Sequence, residues 1–116
     1  MDERPILRQV DVLLDGVARM PRGAAVRRIR AESGRLILAR GERTGHLHAV
    51  PATAGELLEV TTARGRSRYL RIRIPTALTH QEHAPIALAP GLYRVALQSE
   101  YTPLPGSRPR RPAVAD

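Results

Sequence analysis

The chain has 116 residues, enough for one domain with a hydrophobic core and short tails but not for two independent cores. It contains no cysteine, which excludes disulfides, thiolate metal ligands and cysteine nucleophiles, so any metal site must be built from imidazole, carboxylate and backbone groups. The formal charge of +8 rests on 19 arginines with no lysine, while Phe and Trp are absent and tyrosine occurs only at 69, 93 and 101; a polyanion partner is allowed, but the stacking platforms of single-strand binders are missing.

The opening MDERPILRQV has no basic segment followed by an apolar one, and no apolar run approaches the ~18 residues of a membrane span. This predicts a cytoplasmic protein with no membrane partner. Short stretches rich in Val, Ile and Leu, separated by Gly and Pro, predict an all-β domain over residues 1–101, a small β-barrel or sandwich of about six to eight short strands. In ILRQVDVLL, the alternation predicts one strand with Val10, Val12 and Leu14 on its buried face and Gln9 and Asp11 on the other. AVRRIR and RLILAR flank AESG, where Gly34 can take a positive φ, so these two segments are expected to form a hairpin.

A second hairpin is expected in ELLEVTTARGRSRYLRIRI, with its turn near Arg64 and Gly65. Leu70, Ile72 and Ile74 alternate with Arg71 and Arg73, which should face solvent, and Pro75 should end the strand. Arg66 and Arg68 share the parity of the apolar set, so either a bulge switches the face near Tyr69 or this end projects beyond the core. Residues 75–90 are interrupted by three prolines, after which Gly91 opens a last strand carrying Tyr93, Val95 and Leu97 on one face. The segment 102–116, TPLPGSRPRRPAVAD, is dense in Pro and charge and predicts a flexible tail.

The four histidines fall into two pairs. In GHLH, a strand places His46 and His48 on one face, close enough to share an ion. In THQEH, His80 and His83 meet if the segment makes a helical or 3₁₀ turn, whereas an extended chain pairs His80 with Glu82. Imidazoles with a nearby acid, Glu82 or Glu42, suit Zn, Fe, Ni or Mn, and a site with an open position could bind a small ligand or activate water. Without metal, the same groups could act as acid and base near neutral pH. The alternative is a polar strand face and an exposed turn with no shared chemistry. No nucleophile elbow or phosphate-binding glycine loop is present.

Arg64, Arg66, Arg68, Arg71 and Arg73 form a strip on the second hairpin, and Arg108, Arg110 and Arg111 a second focus in the tail. They are candidate polyanion contacts, able to hold a nucleic-acid backbone in a salt-dependent way, or else a solvated face that discourages edge-to-edge pairing.

The segments LRQVDVLL, GERTGHLH and THQEHAPIALAPGLYRVALQSEYTP resemble a group of small uncharacterised bacterial proteins with GE-x-TGH-x-H and H-x-EH-x-PI-x-L motifs. The resemblance spans most of the chain and implies no activity. It places a glycine between Gln9 and Asp11, where this chain has Val10, and draws attention to His46, His48, His80, Glu82, His83 and Tyr101. The HxH pair with a later histidine is also faintly similar to the cupins, whose metal lies inside a β-barrel. The expectation is a small β-domain with a His-lined polar site for a divalent metal and a small ligand. The other is a noncatalytic adaptor that docks on a protein assembly or a nucleic-acid backbone through its basic residues.

Overall fold

The computed structural model describes residues 4–40, 46–97 and 113–114. Strands dominate as the alternation predicts, and they form two layers. The large layer is a seven-stranded sheet whose members are β1 (Ile6–Gln9), β2 (Val12–Val17), β3 (Ala25–Ile29), β6 (Gly55–Thr62), β7 (Gly65–Ile72), β10 (Gly91–Leu97) and β11 (Ala113–Val114). Their order across the sheet is β11-β1-β2-β10-β7-β6-β3. The small layer joins β4 (Arg35–Arg40) to β5 (Leu47–Pro51) and β8 (Thr76–Leu78) to β9 (Ile86–Leu88). Ala49 and Thr79 link its halves by exchanging backbone hydrogen bonds of 3.1 and 2.9 Å.

The main core fills the space between these layers. Val12, Leu14, Leu57 and Leu70 project from the large sheet, and Leu38, Val50, Leu78 and Leu88 meet them from the small one. Each such side chain removed from water favours the fold by about 2–3 kcal/mol. On the outer face of the large sheet, Leu58, Val60 and Tyr69 pack beneath Val17, Met20, Ala24 and Leu92. The result is sandwich-like, and no closed barrel forms among the described residues.

Two expected elements differ. ILRQVDVLL is a hairpin, not one strand: Gln9 pairs with Val12, and Val10 and Asp11 make the turn. Only Val10 of these two has a positive φ, 57°, the pattern of a type II′ turn whose first central position favours glycine. Position 10 thus makes a conformational demand that glycine would meet with less strain than Val10 does. The AVRRIR and RLILAR segments do meet a tight turn at Ser33 and Gly34, with φ of 52° and 75°, but they do not pair with each other. β3 pairs with β6 at the rim of the large sheet, whereas β4 crosses to the small layer and pairs with β5. Burial explains the split: β3 is almost wholly exposed, while Leu36 and Leu38 of β4 are core residues.

These divisions give more strands than the expected number, since the opening contributes two and the Pro-interrupted stretch contributes β8 and β9. The β6–β7 hairpin turns at Ala63 and Arg64 with continuous register from Gly55↔Ile72 to Thr62↔Gly65. No bulge is required: Tyr69 packs on the outer face, and Arg66 lies exposed beyond the main core. Most of the expected 102–116 tail, with Arg108, Arg110 and Arg111, lies outside the described residues; Ala113–Val114 runs parallel to β1. No helix among the described residues is long and apolar enough to cross a membrane.

Candidate functional site

The site forms where three segments meet: the β1–β2 turn, the start of β5 and the β8–β9 connection. β5 carries His48, which is 2% exposed, and His46 precedes the strand, half-buried. His80 and His83 are half-buried on a bend, not a helical turn, between β8 and β9. The Ala49–Thr79 bridge fixes the two segments side by side, and the Leu47 backbone N–H donates to Gln81 Oε1 at 2.8 Å. The outcome is a cluster centred on His80, whose ring lies 4.5 Å from that of His48, 4.9 Å from that of His83 and 5.5 Å from that of His46. Both predicted pairs are therefore brought together.

Gln9, expected on a solvent face, is fully buried and organises the cluster from beneath. Its amide Nε2 donates to the carbonyls of Leu78 at 3.1 Å and Ala84 at 3.0 Å, one at each end of the β8–β9 connection. Two carbonyls can only be served by an NH₂ group, so the orientation of the amide is fixed and Oε1 must face His48, 2.9 Å from its Nδ1. His48 is consequently the donor at Nδ1, and its Nε2 presents a bare lone pair. Asp11 Oδ1 stands 4.0 Å from that lone pair, from the turn that Val10 closes. Two acceptors that face each other at this separation leave room for a bridging proton donor or cation.

Burial, followed by the neighbouring His80, pushes the His48 imidazole down to about 4, against an opposing pull from Asp11. His80 is lowered too, by burial and then by His83 and His46. At neutral pH His48 is therefore uncharged, the form that ligates metals or accepts a proton. His80 has the opposite tautomer: its Nδ1 accepts the backbone N–H of Glu82 at 3.1 Å, so its proton sits on Nε2. Glu82 itself is exposed, with Oε1 3.8 Å from His46 Nδ1. Among the described residues no group of three or more ligand side chains is arranged to hold a metal ion as it stands, and the Nδ1 lone pair of His80 is engaged by the Glu82 N–H.

The arginine strip does not behave as one surface. Arg64 and Arg66 are exposed at the hairpin tip, and Arg68 lies opposite Glu59. Arg71 and Arg73 face solvent as expected, and their guanidiniums also reach the buried carboxylate of Glu56, at 3.2 and 3.0 Å from Oε1. Arg28 completes this hub from β3, with Nε and Nη2 at 3.2 and 2.8 Å from Oε2. Burial alone would raise the Glu56 carboxyl, but the Arg28 hydrogen bond and the charges of Arg73 and Arg28 hold it below its ordinary value. Gly41, Glu42 and Tyr101 lie outside the described residues.

Residues 8–98, which hold both the histidine cluster and the Glu56 hub, match the family described as Domain of unknown function (DUF8820). The chain belongs to the DUF8820 family. No curated protein and no solved structure matches it. Gln9 and Asp11 at one end and Tyr93 in β10 at the other are all inside the DUF8820 unit, so the β1–β2 turn and the histidine cluster lie within it. The resemblance drawn from the motifs agrees with this at the level of a family without an assigned activity.

Sequence reasoning missed that Gln9 and Asp11 join the histidine cluster and that Arg28 and Glu56 form the arginine hub. A usable signal existed for the first two: a glycine implied at position 10 marks a turn, and a turn there ends β1 at Gln9 and frees it from the strand alternation.

Proposed function

We propose that this DUF8820 domain binds a divalent transition metal at the histidine cluster, with His48 Nε2 as the anchoring ligand and His46, His80, His83 and Asp11 as the groups from which the remaining ligands come. The observation that carries the reading is the Gln9–His48 hydrogen bond. A buried glutamine that holds Nδ1–H of a neutral imidazole, while the imidazole Nε2 stands 4.0 Å from the Asp11 carboxylate and the ring packs on His80, is the supporting arrangement that metal-ligating histidines have. The donor set suits Zn, Fe, Ni or Mn, and the partial exposure of His46, His80 and Asp11 leaves a side open to a small ligand. The HxH pair with a later histidine, faintly similar to the cupin pattern, is consistent with the same chemistry.

Metal uptake on this reading requires the 80–83 bend to release the Glu82 N–H from His80, so that Nδ1 becomes a ligand or the ring turns. The test is elemental analysis and calorimetric titration with Zn²⁺ and Ni²⁺ on untagged, chelator-treated protein, with His48→Ala and His80→Ala beside it. Near-stoichiometric binding that is lost in both folded variants is expected. Absence of binding in the parent protein, or equal binding in both variants, rejects the reading.

A further inference from the structure

At the opposite edge of the large sheet, a groove of about 570 Å³ opens between β3, the β3–β4 connection and the start of β6. Arg28, Arg30 and Arg73 line it against a single carboxylate, Glu56. Ile29, Ala31, Leu36 and Ala52 supply an apolar wall. We propose that this groove binds a small ligand that carries a phosphate or carboxylate group on an apolar body.

Three features of the hub favour such a ligand. Glu56 fixes the guanidiniums in place, so little side-chain freedom remains to be lost on binding. It also leaves most of their donors unused: a guanidinium has five N–H groups, and Glu56 occupies two on Arg28 and one on Arg73. The side chains of Arg28 and Arg73 are 72% and 58% exposed, so these remaining donors are open to an incoming oxyanion. Arg30, whose side chain has no hydrogen bond or ion pair among the described residues, adds a third cation. A planar fork of donors matches both phosphate and carboxylate, and the apolar wall gives the rest of the ligand a surface to cover. A purely structural role for Glu56 would not require an uncommitted arginine and an apolar groove beside it.

The experiment is calorimetric titration with hexyl phosphate, hexanoate and inorganic phosphate, on the parent protein and on Arg30→Gln, Arg73→Gln and His80→Ala. Saturable binding of hexyl phosphate or hexanoate is expected, about tenfold or more tighter than inorganic phosphate, and which of the two binds better identifies the head group. Arg30→Gln and Arg73→Gln should each weaken it about tenfold, while His80→Ala leaves it unchanged. Arg30 is exposed and Arg30→Gln removes no hydrogen bond or ion pair among the described residues, so the variant should stay folded, which a thermal melt checks. The proposal is overturned if neither amphiphilic probe saturates, or if affinity is the same in the two arginine variants as in the parent. Its failure would leave metal uptake at the histidines unaffected.

Discussion

Gln9 and His48, 39 residues apart in sequence, are joined by a 2.9 Å hydrogen bond in which the imidazole Nδ1–H donates to the side-chain carbonyl. The same glutamine holds the carbonyls of Leu78 and Ala84, so one side chain of the large sheet ties together three parts of the small layer. Gln9→Ala would leave a buried imidazole N–H and two carbonyls without partners. The expected cost is about 3 kcal/mol, a fall in Tm of roughly 10–20 °C for a domain of this size. Nitrogen NMR of His48 gives a second check: the Nδ1–H tautomer should dominate in the parent and lose its preference in Gln9→Ala.

Acid should weaken the fold before the carboxylates titrate. Folded His48 takes up its proton at about 4, whereas the unfolded side chain does so at 6.5, so the unfolded state binds the proton first as the pH falls. Stability present above 6.5 is lost progressively down to about 4, by about 3 kcal/mol from this group. His80, also lowered, acts in the same direction. Glu56 is depressed as a carboxylate, and its contribution is lost only as the pH falls below its unfolded value of 4.5. Urea midpoints at pH 7, 6, 5 and 4 should decline through the whole series. A flat profile between pH 6.5 and 5 would show that His48 is not desolvated.

The all-β class and the second hairpin were legible because they depend on local alternation: Leu70 and Ile72 repeat with the period of a strand whatever lies across from them. The pairing of β3 with β6 was not legible, because the turn at Ser33 and Gly34 is a hairpin turn by its residues, and only the global burial of Leu36 and Leu38 sends β4 into the other layer. The histidines were legible as two pairs. That they form one cluster depends on the Ala49–Thr79 bridge, a contact between backbones that no side-chain pattern announces. Gln9 was misplaced for a related reason: strand parity put it outside, and the positive φ of Val10 breaks that parity one residue later.

Val10 is itself a testable compromise. A β-branched residue at a φ of 57° is strained, and its side chain is 40% exposed, so little burial offsets the strain. Val10→Gly should relieve it and stabilise the domain by about 1 kcal/mol, raising Tm by roughly 4–8 °C. The turn also positions Asp11 beside His48, so a more mobile turn in the variant should be accompanied by weaker metal uptake even as stability rises. A lower Tm for Val10→Gly would mean that the side chain contributes packing that its exposure does not reveal.

Gly55 opens β6 opposite Ile72, and a Cβ added there would run into the backbone carbonyl of Arg71, with the Ile72 Cα only 3.1 Å away. The obstacle is main chain and cannot swing aside as a flexible side chain would. This close approach lets Arg73 donate its backbone N–H to Ala54 at 2.8 Å, directly beside Glu56, so the geometry of the arginine hub depends on it. Gly55→Ala should therefore force β6 and β7 apart at one end and destabilise the domain by about 3 kcal/mol, whereas Thr53→Ala, at an exposed position two residues away, should be nearly neutral. Thermal melts of the two variants separate these outcomes. At temperatures where Gly55→Ala is still folded, its affinity for hexyl phosphate should also fall, because the Arg73 guanidinium is carried by the strand end that moves. Melting within a degree or two of the parent would show that this strand end can open without cost, and the hub would then have to be held by its ion pairs alone.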